Sequence, residues 1–406
     1  MFKKISKCRS CTSSKLKTII DLGDQPPANS LKSKKIKQKK IPLVLTFCTN
    51  CKLLQLNSTV DPKVLFAKYL WVTGTSETIK HYRDFFVKKV ISYKSGSNIL
   101  EIASNDGFFL KKFKSFGMNV LGVDPAKNIA KKANKLKINT IPKFFNSQVA
   151  KEILKEKGKQ DVIICRNVIP HVENIHSVIK GISLLMHNNS NAFIEFHYAK
   201  LLSTKLHYDY IYHEHIFYFT IKSLTTLLRK YSLNAYDCFL SPISGGSLVL
   251  VLSKKKKTKT NFLKIKINQE KKNKINTFKY WKNFEQKCLD HKIKLKKIIK
   301  SILIKKNKIA AYGASARSST LINYCGFNSN QIKLIFDKNL LKSDLFTAGS
   351  NIKIVPPSKN KINNFKYIVL LAWNFTDEII QYLKKDIKFK GFIINVLPKV
   401  SLKKCK

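Results

Sequence analysis

The segment Tyr210-Ile211-Tyr212-His213-Glu214-His215 gathers two imidazoles, a carboxylate and two phenols into six residues. It makes poor core and poor generic surface, so its chemistry comes first. Histidine has an ordinary pKa near 6.5 and can take or give a proton at neutral pH. A neighbouring carboxylate can orient the ring, and a phenol can stabilise a nearby oxyanion by donating a hydrogen bond. Three readings stay open on these residues alone: proton transfer, metal ligation through His-x-His, and a structural role.

Two Cys-x-x-Cys pairs, Cys8-Arg9-Ser10-Cys11 and Cys48-Thr49-Asn50-Cys51, hold four of the nine cysteines. One pair sets two thiolates on a tight knuckle. Two pairs complete the closed four-sulfur shell of structural zinc, with no position left for chemistry. A redox dithiol and free thiols are the competing readings. The scattered Cys165, Cys238, Cys288, Cys325 and Cys405 read as small core hydrophobes.

A third pattern is a strand entering a tight turn. Ile99-Leu100-Glu101-Ile102-Ala103-Ser104-Asn105-Asp106-Gly107 precedes a helical stretch, and a later strand closes with Gly122-Val123-Asp124-Pro125. Such a pair suits a nucleoside: the turn lets backbone approach, and Asp124 can hold both ribose hydroxyls. In place of phosphate-cradling glycines the turn carries acid. It would repel a pyrophosphate and tolerate a cation, so S-adenosylmethionine fits better than NAD. An ordinary strand–turn–helix is the competing reading. Further on, a strand from Asp161 leads to Asn167 and His171, at the edge where doubly wound folds bind ligands. His171 taken singly could equally be a structural hydrogen bonder.

These residues need a scaffold. Residues 61 to about 95 read as mostly helical. From Ser97, strand-like runs at Asn98–Ala103, Asn119–Val123, Asp161–Cys165 and Ala192–Glu195 alternate with helical stretches, followed by a strand at 247–252. That alternation predicts an α/β fold with a doubly wound parallel sheet. Residues 254–307 read as a loop and one long amphipathic linker helix with Phe278, Trp281, Phe284, Leu289 and Ile293 on its apolar stripe. A second α/β unit starts at Lys308, with strands at Ile309–Tyr312, Lys333–Asp337, Tyr367–Ala372 and Phe392–Val396. The expected division is 1–60, 61–253, 254–307 and 308–406.

A chain of 406 residues supports two or three such units. The net charge of +53 points naively to nucleic acid, but only five of 77 basic residues are arginine. Lysine rises together with asparagine, isoleucine and phenylalanine, which favours codon bias on solvated faces over a nucleic-acid footprint. The charge would still concentrate an anionic substrate. No apolar run reaches a membrane span and the start lacks a signal-like stretch, so a cytoplasmic protein without disulfides is expected.

Together these motifs resemble the three-part S-adenosylmethionine-dependent sugar C-methyltransferases, which add a branching methyl to nucleotide-linked keto-deoxysugars. The resemblance spans nearly the whole chain. It rests on the paired knuckles with the Asp-Leu-Gly…Pro-Ala-Asn loop, the Leu-Glu-Ile…Asn-Asp-Gly turn, Gly-Val-Asp-Pro-Ala, Tyr-His-Glu-His and Gly-Gly-Ser. It continues through Tyr-Gly-Ala-Ser-Ala at 312–316, Asn-Tyr-Cys-Gly at 323–326 and Leu-Ala-Trp-Asn-Phe at 371–375.

The resemblance implies a small N-terminal zinc-binding domain on Cys8, Cys11, Cys48 and Cys51, a Rossmann-like methyltransferase domain and a second, C-terminal Rossmann-like α/β domain. It implies that Glu101, Asn105, Asp106, Gly107 and Asp124 line the methyl donor, and Asn167, at the carboxyl edge of the sheet, is expected beside them. His215 becomes the base, with Glu214, Tyr212 and Tyr69 beside it, and Tyr312, Gly313, Ser315 and Asn323 approach the substrate nucleotide. The implied partner is a small nucleotide-sugar, with neither nucleic acid nor membrane. The chain departs from the family at Trp71, at Val249 and at Arg317-Ser318-Ser319, which leaves the sugar and the nucleotide open. Methyl transfer to oxygen or nitrogen, and a basic zinc-containing nucleic-acid binder, are the alternatives.

Overall fold

The computed structural model describes residues 2–61, 65 and 77–405. Tyr69 and Trp71, with most of the expected helical lead-in, lie outside them.

The middle unit is built on a seven-stranded sheet. Counted from its first strand, Asn98–Ile102, the order is 3-2-1-4-5-7-6. Asn119–Val123 and Thr140–Ile141 lie to one side. Gln160–Arg166 and Met186–His197 lie to the other, all parallel. Ser247–Ser253 then pairs antiparallel with Met186–His197 and carries Asn234–Ser241 outside it. The central strands are near-continuous apolar runs because both faces are covered. One face turns Ile164, Phe193 and Val249 toward Phe86, Phe109 and Phe113, and the other turns Ile163, Ile194 and Leu250 toward Ile153, Ile182 and Leu224. The strand expected at Ala192–Glu195 is longer at both ends, and Asn234–Ser241 has no counterpart among the sequence expectations. Its two-residue alternation is broken by a bulge between Ala235 and Asp237.

The C-terminal sheet has six strands, in the order 3-2-1-4-5-6 counted from Ile309–Tyr312. Leu334–Phe336 and Lys353–Val355 lie to one side, Tyr367–Leu370 and Phe392–Asn395 to the other, and an antiparallel Ser401–Lys404 closes the edge. Each sheet therefore reverses winding beside its own first strand, the place where doubly wound folds open a crevice at the carboxyl ends.

The linker is two helices, Asn261–Lys272 and Phe278–Ile304. The second buries Trp281, Phe284, Cys288, Leu295, Ile299 and Ile302. Leu289 and Ile293, expected on that stripe, are 39% and 65% exposed. The buried residues follow the 3.6-residue repeat from Trp281, which carries Leu289 and Ile293 round to solvent. The N-terminal hairpin Leu16–Gln25/Ile41–Cys48 continues through Leu54–Leu56 to Phe217–Tyr218, a strand lent by the middle unit. No helix among the described residues is long and apolar enough to cross a membrane.

Candidate active site

The four N-terminal sulfurs lie within 4.8 Å of one another. Cys8 Sγ is 3.6 Å from Cys51 Sγ, and Cys11 Sγ is 3.5 Å from Cys48 Sγ. Tetrahedral zinc with Zn–S of about 2.3 Å needs sulfur–sulfur edges of about 3.8 Å, whereas a disulfide bond is about 2.05 Å. Burial pushes the Cys48 thiol up to about 11, while its hydrogen bond with Cys51 draws Cys8 down to about 5. A dication removes that conflict by taking all four as thiolates. The set fits structural zinc.

This knuckle is wired toward the histidine segment. Arg9 donates from Nη1 to the Leu56 carbonyl at 2.6 Å and from Nη2 to Thr59 Oγ1 at 2.5 Å. The Leu56 amide donates to Ile216 O at 2.9 Å, one residue beyond His215.

In the middle sheet, the turn after Asn98–Ile102 winds through left-handed backbone. Ala103 and Asn105 have φ of 54° and 52°, and Gly107, at 74°, has room for no Cβ because Ile138 Cγ2 would lie 2.9 Å away. Left-handed non-glycine residues store strain of the kind found at ligand turns. Asp124 clamps the turn: Oδ2 accepts from the Asn105 amide and Oδ1 from the Ala126 amide, both at 2.9 Å. Four atoms here are buried without a partner among the described residues: Glu101 Oε2, Ser104 Oγ, Asp106 Oδ1 and Asn167 Oδ1. An acceptor-rich lining of this kind fits a ligand bearing hydroxyls, an amino group and positive charge. The residues fit S-adenosylmethionine. Glu101 is committed only in part, because its Oε1 takes Arg166 Nε at 2.9 Å and Nη2 at 2.6 Å.

The histidine segment follows the helical turn Tyr208–Tyr210. His215 Nδ1 lies 3.0 Å from the Tyr210 carbonyl, which can only accept, so Nδ1 carries the proton. Nε2 is then the lone-pair nitrogen and takes the Tyr212 hydroxyl at 2.9 Å. Burial, then His171 nearby, holds the His215 imidazole well below its ordinary range, so the ring is neutral at pH 7. The expected orienting carboxylate is elsewhere. Glu214 Oε1 accepts from Asn29 Nδ2 at 2.6 Å, and burial pushes its pKa up to about 7. A backbone carbonyl orients His215. His213 is a strut, its Nε2 on the Ile41 carbonyl at 3.2 Å.

His171 joins the site. It donates from Nδ1 to the Glu214 carbonyl at 2.8 Å, its ring centroid is 4.7 Å from that of His215, and burial lowers it to about 4. The amide of Ile216 bonds Pro170 O at 2.7 Å. His215 is thereby pinned to the loop that carries Asn167, at the carboxyl edge beside the acidic turn.

The C-terminal crevice faces the same region. Gly313, at φ 100°, passes so close to Ala372 that a Cβ would meet its Cβ at 2.4 Å. Asp337 repeats the Asp124 clamp on the Ala314 and Asn339 amides, at 2.7 and 2.9 Å. Tyr312 ends the first strand buried, its hydroxyl without a described partner. Ser315 caps the helix Ala316–Cys325 through Ser318 N. Asn323 is turned to scaffold work, its amide on the Ser319 and Ala348 carbonyls.

Thr320 Oγ1 reaches Ile211 O at 3.0 Å, and Arg317 lies over the rings of Tyr210 and Trp373 at 5.0 and 5.2 Å. Trp373 Nε1 donates to Asp209 Oδ2 at 2.6 Å. Sequence reasoning did not single out His197, His207 or Asp209, and it named Arg317 only as a departure from the family pattern. The available signal for His197 was its place at the end of a strand beside the crevice, where a polar ring has no core to join.

Comparison with known proteins matches three family descriptions along the chain: a zinc binding domain at 8–66, a methyltransferase domain at 74–237 and a C-methyltransferase C-terminal domain at 242–398. The C-methyltransferase NovU of Streptomyces niveus is 28% identical over 404 residues, covering 97% of this chain and 96% of NovU. A ubiquinone biosynthesis O-methyltransferase of Pelagibacter ubique is 30% identical over 118 residues, 28% of this chain and 47% of that protein. Among solved structures, magnesium protoporphyrin IX methyltransferase from Synechocystis with bound S-adenosylmethionine aligns at a TM-score of 0.36 and 13% identity, over 48% of this chain and 99% of that one.

Proposed function

Because this chain belongs to the three-part S-adenosylmethionine-dependent C-methyltransferases, we propose that its acceptor is a keto-deoxysugar carried on a nucleoside diphosphate. His215 generates the carbon nucleophile. The division of labour follows the chain: 1–60 hold zinc through Cys8, Cys11, Cys48 and Cys51, 61–253 bind the donor, 254–307 link, and 308–406 hold the nucleotide. Nine cysteines with no disulfide among them suit a reducing cytoplasm.

The carrying observation is the state of His215, a buried neutral imidazole with Nδ1–H fixed on Tyr210 O and Nε2 presented as acceptor. A hydrogen α to a ketone is acidic because the resulting enolate spreads its charge onto oxygen. Once the sugar displaces the Tyr212 hydroxyl from Nε2, that nitrogen takes the α proton. Tyr212, kept a phenol because burial raises its pKa, then donates to the enolate oxygen. Tyr69 is the further hydroxyl from the lead-in segment. Bound S-adenosylmethionine supplies an electrophilic methyl on a sulfonium. Asn105, Asp106, Gly107, Asp124 and Asn167 orient the donor, with Glu101 contributing Oε2, and holding both reactants at near-attack distance supplies much of the acceleration. Tyr312, Gly313 and Ser315 line the nucleotide crevice, and Asn323 braces it.

The test is turnover of dTDP-4-keto-6-deoxyglucose with labelled donor, followed by NMR of the product. A new C–CH3 signal, together with deuterium exchange of the α hydrogen that vanishes in His215→Ala, is expected. An OCH3 product, or equal turnover by the variant, overturns the carbanion route.

A further inference from the structure

Beside the proposed base lies a second set of buried polar atoms that the methyl transfer itself does not use. His197 ends the strand Met186–His197, is 4% exposed, and has neither ring nitrogen bonded to any described residue. Its ring stacks on Tyr210 at 3.8 Å, and Tyr210 in turn lies 4.2 Å from His215. His207 Nδ1, Asp209 Oδ1 and Arg317 Nη1 are likewise buried and unpartnered among the described residues. His207 is 5.7 Å from His197, between centroids. Asp209 is 1% exposed and anchored through its other oxygen by Trp373. Buried polar atoms left unpaired are costly, and here five of them meet where the two crevices approach each other.

We propose that His197, Asp209 and Arg317 form a subsite that reads the free hydroxyls of the acceptor's sugar ring, with His197 as a specificity-determining residue. The inference rests on the keto-sugar reading above. The chemistry of the set selects the ligand group. Arg317 can only donate and an ionised Asp209 can only accept, while a neutral imidazole does one of each. A phosphate offers acceptors only and would meet the lone pairs of Asp209 and of an imidazole. A hydroxyl both donates and accepts, so adjacent ring hydroxyls satisfy the mixed set. A site built to bond a hydroxyl also rejects an analogue that lacks it, since its own buried groups would then stay unpaired.

The experiment uses the full chain and three probes in calorimetry: S-adenosylhomocysteine, free dTDP, and dTDP-4-keto-6-deoxyglucose, with GDP and CDP and their 4-keto-6-deoxyhexose conjugates in parallel. His197→Phe keeps a ring on Tyr210 but removes both nitrogens. It is expected to weaken the sugar nucleotide by about 100-fold while changing the free nucleoside diphosphate and S-adenosylhomocysteine less than about twofold. His197→Asn, which restores a donor and an acceptor, is expected to recover part of the loss. Undiminished sugar-nucleotide binding by His197→Phe overturns the subsite and leaves the acceptor reading standing. Loss of S-adenosylhomocysteine binding in both variants makes His197 a structural residue and overturns it as well. A wild-type protein that binds S-adenosylhomocysteine but no sugar nucleotide overturns the acceptor reading, and the subsite falls with it.

Discussion

The two doubly wound sheets use one backbone device in two different charge settings. In each, the first strand runs into a left-handed turn, and the acid after the second strand holds that turn by an amide. Asp124 does so for Asn105, Asp337 for Ala314. Around Asp124 stand Asp106 and the buried Glu101, with burial raising the pKa of Asp124 itself. Around Asp337 stands Lys342, whose ammonium reaches Ala314 O at 2.8 Å and Asp337 Oδ2 at 3.5 Å. In the first crevice Glu101 Oε2 and Asp106 Oδ1 stay without a partner among the described residues while Arg166 and Lys132 approach their other oxygens, whereas in the second Lys342 reaches the clamping acid itself. Strand order sets where a ligand can bind, and the charges at the strand ends set which ligand does.

The largest effect lies between the crevices. His215→Ala should lower turnover by about a thousandfold or more with S-adenosylhomocysteine affinity unchanged, read by labelled-methyl transfer and calorimetry. Next comes the comparison of the paired acids. Asp124→Ala should weaken S-adenosylmethionine by about 100-fold. Asp337→Ala should leave donor affinity alone and raise only the KM for sugar nucleotide. If both variants lose the donor equally, the proposed contrast between the sheets is wrong.

Breaking the zinc shell with Cys48→Ser should lower Tm and reduce kcat by about tenfold, because Arg9 and Leu56 tie the knuckle to Ile216. Gly107→Ala and Gly313→Ala should each cost about 1–3 kcal/mol in denaturant melts, with only the first also weakening donor binding.

The smallest effect is in pH. Burial lowers the His215 pKa, so this ring, the proposed base, stays neutral through the range where an exposed imidazole titrates. The acid limb of kcat/KM should therefore fall below pH 6.5. The linked stability has the same sign. The unfolded ring binds its proton first, so this contribution is full above pH 6.5 and declines as pH falls below it. A limb at 6.5 or above would mean that His215 is solvated in the working enzyme.

Much of this was legible in sequence because it is local. Two Cys-x-x-Cys pairs, a strand–turn–glycine motif and a six-residue run of His, Glu and Tyr are short patterns that stand out in the sequence even where more than one role fits them. The strands at Asn119–Val123 and Ile309–Tyr312 read correctly since covered parallel strands are plain apolar runs. Asn234–Ser241 escaped because a bulged edge strand loses its alternation, and the linker stripe was misassigned because two overlapping helical phases fit the same apolar residues.

The sequence by itself determined the doubly wound class, and it picked out the paired cysteines and the acidic turn as candidates, since each motif is a short local pattern. Only the tertiary structure decided how the histidines are held: backbone carbonyls engage His213 at Ile41 and fix the tautomer of His215. It also brought His197, Asp209, Arg317 and Trp373 together from four distant segments. Such a meeting depends on how the 208–211 turn docks against the helix Ala316–Cys325 and Trp373, which no local pattern encodes.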